Sequence, residues 1–277
     1  TTEAATKQWS YTYTYDNQAR LKSAAYNGII NGRFSLQSVG YDVMGNIMSL
    51  TRNAPTSTSA HEELDNLSYS YASGSNRLVT LTDAANTMQW ASRTDDADPT
   101  AYFYTLDGSV REEVRRPVNA SGTQEVYTRA YTYDEQQLPT RMEWVEYADE
   151  WDYDSTTPRA YGYYYYRYNG AGQRIYESAQ GTVRRTVRGA SGEALAVLDG
   201  SGNLKHWNMS AGLGRLDSDG HKYYYLADHL GSVRAVVKDT TGSIVEARDY
   251  YAFGMEMAGR SYVYGQKTKE SYTSHER

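Results

Sequence analysis

The chain has 277 residues, enough for one large or two modest domains. Its net charge of −6 opposes a nucleic-acid partner, which needs a basic field, and the lack of cysteine removes disulfides, thiol catalysis and thiolate metal sites. Mean hydropathy is −0.75, and the 29 tyrosines against 3 phenylalanines suit thin sheets with one wet face, because tyrosine buries its ring and keeps its hydroxyl near a partner.

The first element is foreshadowed by TTEAATKQWSYTY, which opens almost inside a strand pattern, as in a piece of a longer polypeptide. In YTYTYDNQARL (11–21), Tyr11, Tyr13 and Tyr15 share one strand face and Thr12 and Thr14 the other. Asp16 then ends the strand, because an Asx side chain bonds its own following backbone. The same unit returns as VGYDVMGNIMSL (39–50), SYSYASGSNRLVTL (68–81), AYFYTLDGSVREEV (101–114), YTYDEQQLPTRMEW (131–144) and YYRYNGAGQRIYES (165–178). Turn residues are assigned to Asp16, Asp42, Gly45, Asp107, Gly108, Asp134, Asn169 and Gly172. Shorter relatives are RGASGEALAVLDGSGNLKHW (188–207) and KDTTGSIVEARDYY (238–251). The predicted fold is all-β: consecutive antiparallel hairpins that pair edge to edge into a curved or spiralling strip.

Between the hairpins, SAHEELDNL (59–67) is read as an insertion, a loop more than a helical turn capped by Ser59. ASRTDDADPT (91–100) and YADEWDYDSTTPRA (147–160) are read as acidic loops, and without the order of a calcium loop they are assigned no metal. The histidines follow no metal-ligand spacing, so no cofactor is expected. YGYYYYRY (161–168) invites glycan stacking, but a strand with tyrosine on both faces explains it as well. No apolar run reaches the roughly 18 residues of a membrane helix and no signal peptide opens the chain.

The hairpin series, and above all DHLGSVRAVVKDTTGSIVEARDYYAFG (228–254), resembles the bacterial Rhs family with its YD repeats, relatives of teneurins and Tc-toxin C components. Asp228, His229, Leu230, Gly231, Ser232 and Arg234 match the core signature in full. Gly242 and Val245 fit it, Phe253 and Gly254 match with Ala252 in place of proline, and Tyr264 to Lys267 is a weaker echo. The resemblance implies YD repeats over 1–187 and a core-like region over 188–277. It implies a structural shell segment of a secreted or cell-surface bacterial protein that encapsulates or presents a C-terminal toxin or effector. The implied partners are the rest of a larger polypeptide, or neighbouring copies through strand edges. Some family members cleave themselves with paired aspartates. Tyr251 and Ala252 stand where the first such element would lie, so autoproteolysis is not expected and no residue is assigned a catalytic role. An Asp228 and Asp249 pair is the remaining hydrolytic possibility. The rival reading is an adhesive or fibre-forming surface module that touches glycans.

For the core stretch, strands are predicted at Tyr223–Ala227, Val233–Lys238 and Ile244–Tyr251, with turns at 228–232 and 239–242. Adjacent residues on an extended chain point apart, so Asp228 and His229 form no dyad. Asp228 is expected to cap its own turn. Val233, Ala235 and Val237 are expected on one face, and Arg234 near a carboxylate or a carbonyl-lined turn.

Overall fold

The computed structural model describes residues 9–28, 30–56, 60–85, 100–116, 123–257 and 259–263, with the Glu150 side chain set aside. Among them run twenty strands. The first eight are β1 (Ser10–Tyr15), β2 (Leu21–Asn27), β3 (Leu36–Tyr41), β4 (Ile47–Pro55), β5 (His61–Tyr71), β6 (Leu78–Asp83), β7 (Thr100–Tyr104) and β8 (Val110–Arg115). Then come β9 (Val126–Tyr133), β10 (Pro139–Tyr147), β11 (Ala160–Tyr168), β12 (Arg174–Ala179), β13 (Thr182–Arg188) and β14 (Ala194–Asp199). The last are β15 (Leu204–Asn208), β16 (Gly214–Asp217), β17 (Lys222–Ala227), β18 (Val233–Lys238), β19 (Ile244–Ala247) and β20 (Tyr262–Val263). Each strand pairs antiparallel with the next in a single open sheet. This is the all-β series of hairpins that the alternating sequence implies.

The chain forms two compact units, residues 1–131 with 143–161, and 132–142 with 162–277. In the first, Ala24, Tyr26, Phe34, Leu36, Val39, Leu50, Leu64 and Leu67 are buried. Tyr26 meets both Tyr11 and Phe34 edge-on, with ring centroids 5.4 Å apart. In the second, Val197, Val233, Val236, Tyr250, Tyr251 and Met257 form the apolar interior. Burial of each Leu or Val contributes about 1.5–3 kcal/mol, so a thin core is adequate only because backbone pairing is continuous.

Four local readings are corrected. Residues 61–67, read as part of an insertion, belong to β5, with Leu64 and Leu67 buried. Asp65, only 1% exposed, is tolerated there because it pairs with Arg52 on the adjacent β4. Within 147–160, a single helical turn, α1 (Glu150–Asp154), is capped by Asp149, whose carboxylate accepts the Asp152 N–H at 2.8 Å. In β18 the register shifts opposite Leu226 and Ala227, so strict alternation fails and the buried side chains are Val233 and Val236. β19 ends at Ala247, not Tyr251, and the chain then closes another turn from Tyr251 to Met255. Most of 91–100 and the echo at 264–267 lie outside the described residues.

Candidate functional site

The turns share one bonding scheme. In the turn from Asp16, the Asp16 N–H donates to the Arg20 carbonyl at 2.9 Å and the Ala19 N–H to the Asp16 carbonyl at 3.0 Å. Asp16 Oδ1 accepts the N–H groups of Gln18 and Arg20, and Oδ2 accepts Arg20 Nε at 2.6 Å. Asp42, Asp134, Asn169, Asp199 and Asp228 repeat it, each accepting two backbone N–H groups ahead of it. The fourth turn residue adopts positive φ: Gly45 at 92°, Gly172 at 75°, Gly231 at 84°, and also Ala19 at 59° and Gln137 at 61°. Asp107 departs from its assigned place. Thr105 is the first residue of that turn, Asp107 is the third and accepts the Ser109 N–H at 3.1 Å, and Gly108 is the fourth.

At four of the turns the bonds favour the charged carboxylate. The Arg20 N–H holds Asp16 below the ordinary aspartate range, the Asn46 side chain does the same for Asp42, the Thr105 hydroxyl for Asp107 and the Asn203 N–H for Asp199.

A second series joins one hairpin to the next, and single-hairpin patterns gave no sign of it. The tyrosine just before a turn donates its hydroxyl to the first carbonyl of the preceding hairpin's return strand. Tyr41 bonds Leu21 at 2.8 Å, Tyr71 bonds Ile47 at 2.9 Å, Tyr104 bonds Leu78 at 2.7 Å, Tyr168 bonds Pro139 at 2.9 Å and Tyr250 bonds Val233 at 3.1 Å. Phenylalanine cannot make this bond, which gives these five of the 29 tyrosines a physical cause. Burial raises Tyr41, Tyr71, Tyr104 and Tyr168 above the ordinary phenol value. The turn arginines cover the same rings, Arg20 at 4.5 Å from the Tyr41 centroid and Arg77 at 5.8 Å from that of Tyr104.

At the core motif the scheme is reinforced. Asp228 Oδ1 accepts the Leu230 and Ser232 N–H groups, both at 3.0 Å, and Oδ2 accepts Arg234 Nε at 3.0 Å. Arg234 also donates to Asp249 at 3.4 Å and lies 5.4 Å from the Tyr250 centroid, while Arg260 donates to Asp249 at 2.6 Å. Asp228 and Asp249 are thus brought to one guanidinium. Ser232 is fully buried, whereas His229 and Leu230 are exposed at the turn tip. Gly242 lies in the next turn at φ 61°, and Phe253 and Gly254 both take positive φ in the turn from Tyr251.

A depression of about 960 Å³ belongs to the second unit and runs past Tyr168, Arg174, Arg188, Glu193, Asn208 and Tyr225. There the tyrosine latch is replaced: Arg188 donates to the Arg174 carbonyl at 3.0 and 3.2 Å, and Asn208 to the Ala194 carbonyl at 3.0 Å. Among the described residues, no group of three or more His, Asp or Glu side chains is placed to hold a metal ion, and no helix is long and apolar enough to cross a membrane.

No family model and no curated protein matches the chain. Among solved structures, it is similar to the TcdB2–TccC3–Cdc42 crystal structure, at 13% identity and TM-score 0.32 over 98% of this chain. It is similar to the Photorhabdus luminescens Tc holotoxin pore, at 13% identity and TM-score 0.33 over 97% of this chain. The chain spans about 18% of the length of either neighbour. A porin-like protein from Bacteroides uniformis matches at 11% identity and TM-score 0.33, over 94% of this chain and 90% of that one. Likenesses this weak carry no argument about the chain, whose hairpin fold stands on its own strand pairing.

Proposed function

We propose that the chain is a scaffold segment of an exported Rhs-type polypeptide, one that encloses or presents a C-terminal toxin or effector. The observation that supports this reading is the latch: the conspicuous polar groups of the repeat are spent on bonds from each hairpin to its neighbour. A carboxylate holding two backbone N–H groups and an arginine is saturated as a turn cap, a role that needs no turnover. The DHLGS motif with Arg234 and Asp249 is, on this view, a fastener between the last hairpins.

The test is recovery of the native polypeptide from its source with an antibody against this chain, followed by mass spectrometry of the whole product. Further hairpin repeats and a dissimilar C-terminal domain are expected. A product made of this chain alone overturns the reading.

A further inference from the structure

The groove of the second unit follows the latch line. In chain order the residues just before every second turn, from the turn of Asn169 to that of Tyr251, are Tyr168, Arg188, Asn208, Ala227 and Tyr250. Tyr168 and Tyr250 make the phenol bond, and Arg188 and Asn208 make its counterpart with other donors. Ala227 has no side-chain donor, and the corresponding acceptor residue, Gly214, lines the groove. Three phenol rings in a row are therefore missing along one line, and the groove is lined by two of the residues that replace them, Arg188 and Asn208, and by Gly214.

We propose that this groove binds an oligosaccharide. A pyranose ring approximates a phenol ring in size and adds hydroxyls around its rim. The volume of about 960 Å³ is at the upper end of the roughly 300–1,000 Å³ usual for ligand sites. Tyr168 and Tyr225 supply rings, and Glu193 and Asn208 Oδ1 supply planar acceptors. Arg188 bonds the Arg174 and Gly192 carbonyls through one N–H on each nitrogen, which leaves two of its five N–H groups. An extended peptide fits less well, because β12 to β18 are each paired on both sides and offer no strand edge for addition. The inference does not depend on the scaffold role, since a free-standing module and a shell wall could both bind sugars here.

The test is calorimetric titration of the purified chain with hexasaccharides of cellulose, chitin, maltose and heparin, beside a tyrosine-rich peptide. At least one sugar is expected to bind with Kd below about 1 mM. Glu193→Gln should weaken that sugar about fivefold or more through loss of a charged acceptor. Ser210→Trp and Leu195→Trp, which fill the groove from two of its lining positions, should abolish binding with an unchanged thermal midpoint. Failure of all four sugars at about 1 mM overturns the proposal, as does undiminished binding by both filled variants or binding of the peptide alone.

Discussion

Tyr71 and Tyr15 occupy equivalent places before their turns, yet only Tyr71 bonds a described carbonyl, that of Ile47 at 2.9 Å. Removing the hydroxyl as Tyr71→Phe leaves that acceptor short of a partner and should lower stability by about 1 kcal/mol. Tyr15 is 58% exposed, so Tyr15→Phe should change stability by less than about 0.5 kcal/mol. Urea midpoints compare the two directly, and equal effects would show that the latch adds nothing. The left-handed turn position gives an independent test. Ala19 and Gln137 hold φ near 60° at the cost of a Cβ clash, so Ala19→Gly and Gln137→Gly should each raise stability, by up to about 1 kcal/mol. Gly45 holds φ 92° with only the Arg20 side chain, at 3.8 Å, near an added Cβ. Gly45→Ala should therefore cost about 1 kcal/mol through the backbone alone.

At the scale of the element, the turn from Asp228 joins β17 to β18 and ties both to the segment after β19 through Arg234 and Asp249. Asp228→Ala should cost about 1 kcal/mol, and the Leu230 and Ser232 amides should exchange faster with solvent, a local signature readable by NMR. Arg234→Lys should cost a similar amount, because a single ammonium cannot hold Asp228 and Asp249 with the spread of a planar fork. Hairpins with an Asx residue and a glycine were legible in the sequence, since turn chemistry acts within five residues. β5 was not: His61 to Leu67 is polar enough to read as an insertion, and only pairing with β4, including Arg52 against Asp65, makes a strand of it. Asp107 misled for a related reason, since Thr105 can open the same turn with its hydroxyl.

For the whole molecule, the two titrating series set opposite limits of pH. Asp16, Asp42 and Asp199 have pKa values lowered by their turn bonds, so their contribution is present above the unfolded value of 3.8 and is lost as pH falls through the lower folded values. Tyr41, Tyr71 and Tyr104, all latch residues, have pKa values raised by burial. Their contribution is present below the unfolded value of 10.0 and is lost as pH rises through the higher folded values. Stability measured by urea denaturation should therefore be flat from about pH 5 to 9 and fall on both sides. The alkaline fall should coincide with phenolate absorbance and should be smaller in a Tyr41→Phe, Tyr71→Phe, Tyr104→Phe variant. An alkaline limb unchanged in that variant would remove the tyrosines from the account.

By itself the sequence determined the all-β class, the hairpin turns and the capping role of Asp228, because alternation and Asx chemistry are local and need no knowledge of neighbours. It also showed the tyrosine excess, but not the latch that uses five of those tyrosines. Only the tertiary structure decided that the phenol before one turn meets a carbonyl some 20 residues earlier, since Tyr41 and Leu21 are brought together by strand pairing and not by spacing. The same holds for the groove. Arg188 and Asn208, which line it, are latch residues 20 positions apart, and they meet in one groove only once the hairpins stand side by side.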